Sequence, residues 1–340
     1  MASILVGIST RNRPHYVRET VMSVREQTLT DIRIVVSENP TTPEISASTV
    51  QWIDEQNDPR LSYTLQPLDS GEYGQGRYLI EECKERYFCL IHDDDLMEPG
   101  YLEYAVKTLD ENPDLAFFSS SQYLIDAEGN KQDALTEEYA LYQARDKYPE
   151  GRMLDTLMPL LEHGLFSISG AVFRYSDVVE YGLVDSDIGG IYPFEFNVFL
   201  RIAERGLGAW YSPKRLIAYR WHDTSMRQSD GSILTLYMVE TLVELLERRK
   251  FTGRAEKSRR RLLSYNLRNL GYILLVAHRK KEALSALAKA VRLNPAGLSL
   301  WAYLAVAIIA PAYVRSRWQD KVNISPPSPS WKAAIPDGNQ

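Results

Sequence analysis

Short apolar runs alternate with stretches of helical periodicity over the first third of the chain. The apolar runs predict buried strands at residues 4–9, 32–36, 60–65, 87–91 and 115–119. Between them, apolar residues recur at helical spacing, as in residues 16–27, where Val17, Val21 and Val24 share one face of a predicted helix. This alternation of strands and helices is typical of an α/β domain with a parallel sheet.

The pattern changes further along the chain. Residues 122–163 are rich in charge and tyrosine and show no clear period, and regular structure is predicted again as a strand at 167–173 and within 202–219. From residue 233 the pattern is helical, and Ala283, Leu287 and Val291 lie on the apolar face of a helix predicted over 281–293. We therefore predict an α/β domain of residues 1–230, a helical extension of residues 231–321, and a proline-rich tail of residues 322–340 without fixed structure.

The composition limits the classes of protein that are compatible with this sequence. The 340 residues are 44% hydrophobic and 25% charged, which is enough apolar material for a sizeable core. A net charge of −6 argues against nucleic acid as a partner, because phosphate binding requires a basic surface. Cys83 and Cys89 lack the spacing of metal ligands and are predicted to be buried, reduced thiols. No basic leader precedes the first strand, so we expect a cytoplasmic protein.

Three consecutive carboxylates, Asp93, Asp94 and Asp95, follow the apolar run of residues 88–91. Ligands of open α/β sheets bind outside the carboxyl ends of strands, so these acids stand where a binding site is expected. Adjacent negative charges repel one another unless a cation or protons neutralise them, and carboxylate oxygens suit Mg²⁺ or Mn²⁺. These residues alone leave an acidic surface turn as an equal alternative.

Other polar residues follow neighbouring predicted strands. The loop of residues 10–14 follows the first strand and Glu38 the second, while Arg77 opens a predicted helix after a glycine-containing loop and suits a diphosphate. The carboxyl ends of parallel strands meet at one sheet edge, so these residues are predicted to line one cleft. Gly71, Gly74 and Gly76 do not have the spacing of the dinucleotide fingerprint, which disfavours a nicotinamide enzyme.

Two further candidates lie later in the chain. Glu195 begins a helical stretch, where an acid is also common for reasons of helix dipole alone. His222 follows a predicted strand at 216–219 and suits either a metal or a phosphate, with a structural histidine as the alternative.

Four motifs, in this order, resemble the inverting glycosyltransferases of family 2. They are ILVGISTRNRPHYVRETVMSVREQT, DIRIVVSEN, YFCLIHDDDLMEPGYL and GIYPFEFNVFLRIAERG. The resemblance covers roughly residues 3–224. It implies the GT-A nucleotide-sugar fold, a Rossmann-like mixed sheet flanked by helices, here followed by an all-helical C-terminal extension.

The resemblance also implies roles for individual residues. Asp94 would bind Mn²⁺ or Mg²⁺, with Asp95 and His222 completing the metal or diphosphate shell, and Glu195 would be the general base. Contacts with the nucleotide sugar are implied for Thr10, Arg13, Glu38, Arg77 and Asp93.

The chain departs from the family pattern at several of these positions. Ser37 and Glu38 stand where paired aspartates are usual, which opens the question of the nucleotide base. His92 replaces a frequent first acid, and Phe194 precedes Glu195 where an acidic pair is frequent, which leaves one candidate base.

The activity implied is metal-dependent, inverting transfer of a sugar from a nucleoside-diphosphate sugar, a UDP-sugar first, to a hydroxyl group. The acceptor would be a glycan or a lipid-linked glycan in cell-surface polysaccharide or glycolipid synthesis, with the protein in the cytoplasm at the inner face of the membrane. One alternative is an inactive relative that serves as a sugar-nucleotide-binding scaffold. The other is a sugar nucleotidyltransferase, which would need a glycine-rich loop after the first strand that this sequence lacks.

An uncharged run of 17 residues, 298–314, precedes Arg315, Arg317, Trp318 and Lys321. It is shorter than the roughly 20 residues of a spanning helix, and the residues after it suit a lipid headgroup region. Peripheral membrane contact through residues 298–321 and packing on the α/β domain or a second subunit are both open. The oligomeric state, the donor sugar, the acceptor and the linkage are not defined by the sequence.

Overall fold

The computed structural model of the protein describes residues 3–181, 194–221 and 234–323. These residues fall into two compact units, the first made of 3–181 with 194–221 and the second of 234–323. The predicted domain boundary at residues 230 and 231, and nearly all of the predicted tail, lie outside the described residues.

The first unit is a nine-stranded sheet with helices around it. Its strands are β1 (Ile4–Thr10), β2 (Ile32–Glu38), β3 (Leu61–Leu65), β4 (Tyr87–His92), β5 (Leu96–Met97), β6 (Leu115–Ile125), β7 (Gly151–Met153), β8 (Val172–Arg174) and β9 (Gly208–Arg220). Its described helices are α1 (Pro14–Arg25), α2 (Pro43–Glu55), α3 (Gly71–Glu81), α4 (Tyr101–Glu111), α5 (Asp133–Tyr142), α6 (Leu157–His163), α7 (Tyr175–Tyr181) and α8 (Phe194–Glu204).

The sheet is mixed. Its strands follow the order β3-β2-β1-β4-β8-β6-β9-β5, and β7 pairs with β9. The first four strands are parallel, whereas β8 runs antiparallel to both β4 and β6. The carboxyl ends of β1, β2 and β4 therefore lie side by side, with Ser9 opposite both Ser37 and His92. The mixed sheet flanked by helices is confirmed.

The core explains why these segments form strands and helices. All seven residues of β1 are buried, as expected for a parallel strand covered on both faces. Val17, Val21 and Val24 are buried on one face of α1, as predicted. On the other side of the sheet, the rings of Phe117, Phe166, Phe173 and Phe199 form a cluster whose neighbouring centroids lie 5.0 to 5.7 Å apart. Phe199 belongs to α8, so this cluster holds α8 against the sheet.

The predicted loop containing Gly71, Gly74 and Gly76 is wrong. All three glycines lie in α3, which begins at Gly71, where φ is 65°. A Cβ atom on Gly76 would lie 3.1 Å from the ring of Phe194, so the absence of a side chain allows α3 to pack closely against the start of α8. Tertiary packing therefore outweighs the low helix propensity of glycine. As a result, Arg77 lies in the middle of α3 and does not open it.

Two predicted strands have other lengths in the structure. The strand predicted at 115–119 continues to Ile125 as part of β6, because it pairs along most of its length with the 13-residue β9. The strand predicted at 167–173 is reduced to β8, preceded by an isolated bridge between Ser169 and Leu90. Cys83 and Cys89 are buried and form no disulfide.

The second unit is helical. It contains α9 (Leu236–Glu247), α10 (Gly253–Val276), α11 (Lys280–Leu293), α12 (Leu298–Ile309) and α13 (Pro311–Trp318), and the short strands β10 (Leu234–Thr235) and β11 (Val322–Asn323) pair in parallel. The predicted face of Ala283, Leu287 and Val291 is buried in α11.

The uncharged run of residues 298–314 is divided between α12 and α13. The two helices are bent by 108° where Pro311 begins α13, because proline suits the first turn of a helix but not its interior. Among the described residues, no single helix has both the length and the apolar character to cross a membrane; only this bent pair meets those criteria when it is taken together.

Gly170 is expected to be essential for the packing of the segment before β8. Its φ is 88°, and a Cβ there would lie 2.7 Å from Ile217 Cδ1. Gly170→Ala should lower the free energy of unfolding by about 2–5 kcal/mol, from backbone strain plus overpacking. Gly206 is a matched control, since its φ is 69° but no atom lies within 4 Å of the added Cβ. Urea denaturation should show a cost of only about 1–2 kcal/mol for Gly206→Ala; equal costs would contradict the packing argument.

Candidate active site

The acidic residues contact the loop that follows β1. Thr10, the last residue of β1, donates its hydroxyl to Asp93 Oδ2 at 2.6 Å. Arg13 Nη1 donates to Asp93 Oδ1 at 3.1 Å and to Asp94 Oδ2 at 2.7 Å. The parallel pairing of β1 with β4 places the two loops next to each other, as the sequence predicts for strands that share a sheet edge. Thr10, Arg13 and the first two aspartates therefore form one group.

The backbone of the acidic loop is held from two directions. The Thr20 hydroxyl of α1 lies 2.8 Å from the carbonyl oxygens of Asp93 and Asp95, and Thr20 is fully buried. Arg220, at the end of β9, donates from Nε to the Asp94 carbonyl at 2.9 Å and from its backbone N–H to Asp95 Oδ1 at 3.1 Å. The loop is thereby fixed to both α1 and β9.

All three nitrogens of the Arg220 guanidinium have partners. Its Nη1 donates to the carbonyl oxygens of Asp126 and Ala127, and its Nη2 forms an ion pair with Glu19 of α1. Arg220 is only 1% exposed. Its planar fork of donors explains how one side chain satisfies acceptors on three separate segments.

Asp95 points into the protein. It is fully buried, and Ser169 donates its hydroxyl to Asp95 Oδ2 while the Ser169 oxygen accepts the His92 backbone N–H at 3.1 Å. Burial and the charge of Asp94 raise the pKa of Asp95 to about 7 and that of Asp93 to about 6. The three aspartates therefore carry more negative charge than the neighbouring positive groups neutralise.

His92, Asp94 and Asp95 can converge on one metal ion, because each offers a ligand atom within 4.8 Å of the others. One imidazole and two carboxylates are suitable ligands for Mn²⁺, and the carboxylate oxygens are also suitable for Mg²⁺. His92 Nε2 lies 3.0 Å from Glu72 Oε1 and its Nδ1 lies 3.9 Å from Asp95 Oδ2. Burial lowers the pKa of His92, but Glu72 and the nearby aspartates raise it to about 10, so metal binding through His92 would displace a proton. The sequence did not predict His92 as a ligand; His222, the histidine that it predicted, lies outside the described residues.

Glu195 is connected to the acidic loop through one short segment. It is the second residue of α8, and its Oε2 accepts the backbone N–H of Ile168 at 3.2 Å. The next residue, Ser169, donates to Asp95. The phenylalanine cluster and the contact of Phe194 with Gly76 hold α8 in this position. The predicted base therefore lies across residues 168 and 169 from the acids.

Glu38 and Arg77 each contact a different partner. Glu38 ends β2, is buried, and accepts the Tyr63 hydroxyl at 2.6 Å; its burial raises its pKa. Tyr63 also lines an open cavity of about 350 Å³ next to the strand. Arg77 pairs with Glu81 one turn along α3 at 2.7 Å. From the same helix it is Gln75 that reaches the strand ends, where it donates to the carbonyl oxygens of Thr10 and Ser37.

Sequence reasoning missed several residues that build this site: Thr20, Glu72, Gln75, Ser169 and Arg220. Their side chains act on backbone atoms or on other side chains far along the chain, and no local pattern reveals such contacts. The one available signal was the arginine directly after the strand predicted at 216–219.

The complete chain resembles solved glycosyltransferases. Residues 1–349 of TarS from S. aureus, in complex with UDP-GlcNAc, match with a TM-score of 0.61 and 14% identity over 94% of this chain and 92% of that chain. A mannosyltransferase from Pyrobaculum calidifontis, in complex with GDP-Man and Mn²⁺, matches with a TM-score of 0.54 and 16% identity over 98% and 85% of the two chains. At these identities the likeness defines the fold, which is the GT-A fold of glycosyltransferases.

Sequence comparison identifies the family. Residues 5–173 match the family described as Glycosyl transferase family 2. A stretch of 129 residues is 26% identical to an uncharacterised glycosyltransferase of Methanocaldococcus jannaschii, covering 37% of this chain and 44% of that protein, less than half the length of the relative. Residues 5–173 therefore form a glycosyltransferase family 2 domain.

Thr20 is expected to stabilise the acidic loop. Thr20→Val retains the shape of the side chain but removes the donor shared by two buried carbonyl groups, and should lower the free energy of unfolding by about 1–3 kcal/mol. Thr49→Val is the control, because the buried Thr49 hydroxyl bonds only the carbonyl of Ile45 one turn earlier in α2 and should contribute less than about 1 kcal/mol. Urea denaturation measures both; a cost for Thr20→Val no larger than the control would argue against the anchoring role.

Proposed function

We propose that the protein transfers a sugar from a nucleoside-diphosphate sugar to a hydroxyl group, with inversion at the anomeric carbon and with the help of a divalent cation. The observation that carries the proposal is the group formed by Thr10, Arg13, Asp93 and Asp94 at the carboxyl edge of the sheet, with Glu195 connected to it through residues 168 and 169. Family membership and the GT-A fold support the same reaction class.

The donor would bind at the ends of β1 and β4. The Arg13 guanidinium, about a quarter exposed, already spans Asp93 and Asp94 and is positioned to meet an anionic group that enters beside them. Asp94, Asp95 and His92 would hold the cation, and the cation when bound would offset the negative charge that develops on the departing diphosphate. The cavity beside Tyr63, next to Glu38, is available for the nucleotide base.

Glu195 would act on the acceptor side. Its partly buried carboxylate would take the proton of the acceptor hydroxyl as that oxygen forms a bond to the anomeric carbon. The bond from that carbon to the diphosphate oxygen breaks in the same step, and its electron pair leaves with the nucleoside diphosphate. One base on one face and one leaving group on the other give a single displacement and therefore inversion.

The support for a particular nucleotide and a particular metal comes from the ligands of similar structures. UDP-GlcNAc and UDP are bound in TarS structures, and GDP-Man with Mn²⁺ in the mannosyltransferase. We infer a UDP-sugar donor and Mn²⁺ or Mg²⁺ for this chain. The resemblance of its motifs to family 2 supports a glycan or lipid-linked acceptor in cell-surface polysaccharide or glycolipid synthesis at the cytoplasmic face of the membrane.

Asp94→Asn should weaken metal-dependent donor binding. Ligands that bind the folded state raise its melting temperature by mass action, so the protein should melt higher with one of UDP, GDP, CDP or TDP in the presence of Mn²⁺, and not with EDTA. In Asp94→Asn the apparent affinity should fall by at least about ten-fold. Glu111→Gln, an exposed change at the end of α4, is the control and should respond like the unchanged protein. An equal response of both variants would remove Asp94 from the metal site.

Glu195→Gln should separate catalysis from binding. The amide cannot accept the acceptor proton, so transfer from the nucleotide sugar identified by the melting experiment should fall by about 10²- to 10⁴-fold, while donor binding changes by less than about two-fold. Glu204→Gln, at the other end of the same helix, should leave turnover unchanged.

If the protein is an inactive relative, the opposite result is expected for Glu195→Gln and Glu204→Gln. A sugar-nucleotide-binding scaffold would bind the donor in all three proteins, and Glu195→Gln would lose no measurable transfer relative to the unchanged chain. The transfer assay with both variants therefore decides between an enzyme and a scaffold.

A further inference from the structure

The helical unit is strongly basic although the chain is acidic. Residues 234–323 contain seventeen lysine and arginine residues but only six aspartate and glutamate residues, a net charge of +11, whereas the complete chain carries −6. An excess of this size in one unit attracts anionic partners over distances of about a Debye length. The acidic first unit does not share this property.

Three of these cations line one cavity. The cavity has a volume of about 650 Å³ and lies between the first turns of α10 and the connection from α11 to α12, residues 293–297. Lys257, Arg260 and Arg261 are exposed on its α10 side, and within the described part of the chain none of them forms an ion pair. Glu256, the one acid of the lining, is already paired with Arg259 at 2.6 Å. The cavity thus offers three positive side chains to a ligand such as a phosphate group.

An exposed apolar surface begins at the rim of the same cavity. Ala296 and Gly297 line the cavity and Leu298, the first residue of α12, is 82% exposed. Trp301 donates its indole N–H to the carbonyl of Pro295, another lining residue, which fixes the ring at the rim. The apolar ridge consists of Leu298, Trp301, Ile308, Ile309 and Tyr313, all more than half exposed.

The helices of the apolar ridge are arranged to lie on a surface. The helix α12 carries no charge and buries only Leu300 and Ala307, and it turns by 108° into α13. Neither helix is long enough to span a bilayer. Exposed tryptophan, tyrosine and aliphatic side chains next to cations are typical of helices at the interface between lipid headgroups and acyl chains.

We propose that the helical unit docks on an anionic phospholipid membrane, with lipid phosphate groups in the cavity of Lys257, Arg260 and Arg261 and the apolar ridge inserted at the level of the headgroups. A nucleic acid would match the positive charge but would leave the exposed leucine and isoleucine side chains without an apolar partner. A second copy of the unit would cover the ridge but would bring two charges of +11 together. A lipid surface with anionic headgroups satisfies both features.

The experiment measures co-sedimentation of the full chain with vesicles in EDTA, so that neither donor nor metal enters the result and the transferase proposal is tested separately. We expect binding to phosphatidylcholine vesicles that contain about one third phosphatidylglycerol, and no binding to phosphatidylcholine alone. Arg260→Gln/Arg261→Gln should weaken binding by about ten- to thirty-fold. Lys280→Gln/Lys281→Gln, which removes two exposed charges at the start of α11, should weaken it by less than about three-fold.

A second variant tests the apolar ridge. Leu298→Gln/Ile309→Gln changes two side chains that are each 82% exposed, so folding should be unaffected and vesicle binding should fall on the order of ten-fold. Circular dichroism melting of every variant provides the folding control.

Several results would overturn the proposal: equal binding to both kinds of vesicle, no binding to either, or equal losses in the two arginine and lysine variants. Displacement of the vesicles by an RNA oligonucleotide would favour nucleic acid as the partner. A dimer that Leu298→Gln/Ile309→Gln converts to a monomer, without loss of vesicle binding, would assign the ridge to self-association.

Discussion

The site depends on keeping three adjacent carboxylates in a nearly buried loop. Asp93, Asp94 and Asp95 are 4%, 8% and 0% exposed, so water screens their mutual repulsion poorly. Two side chains hold the backbone of this loop in its shape. The Thr20 hydroxyl is an uncharged donor, and the Arg220 guanidinium is a charged one. The side chains differ in their partners: Asp95 faces Ser169 in the interior, while Asp93 and Asp94 face Arg13.

This division separates the contacts that hold the loop in place from the side chains that are proposed to bind the donor. A loop held only by its carboxylates would rearrange whenever a ligand changed their charge. Here the Thr20 hydroxyl and the Arg220 Nε bind carbonyl oxygens of the loop, so these contacts do not depend on the charge of Asp93 or Asp94. The segment of residues 168–170 adds a second constraint, since it touches Glu195, Asp95 and the end of β4 within three residues.

The sequence predicted those parts that depend on local patterns. The buried parallel strands appear as continuous apolar runs, and the positions of Thr10, Arg13 and Asp93 after two such runs predict that they meet. The glycines of α3 are typical of a loop in the sequence, whereas in the structure Gly76 lies in a helix that packs against Phe194, more than a hundred residues away. No local pattern indicates Thr20, and Arg220 is indicated only by its position directly after a predicted strand, because a buried polar side chain acquires its role from long-range partners. The functional roles of all these site residues, and of Glu38, Arg77 and Glu195, stay predictions.

Arg220 also sets the order in which the site is assembled as the protein is made. It lies 126 residues after Asp94 and 201 residues after Glu19, yet it contacts both. The parallel strands β1 to β4 leave the ribosome long before this arginine exists, so the first part of the sheet can form while the acidic loop lacks one of its anchors. The acidic loop therefore acquires all of these contacts only after β9 has been synthesised, and a nascent chain shorter than this has the acids but lacks one of their anchors.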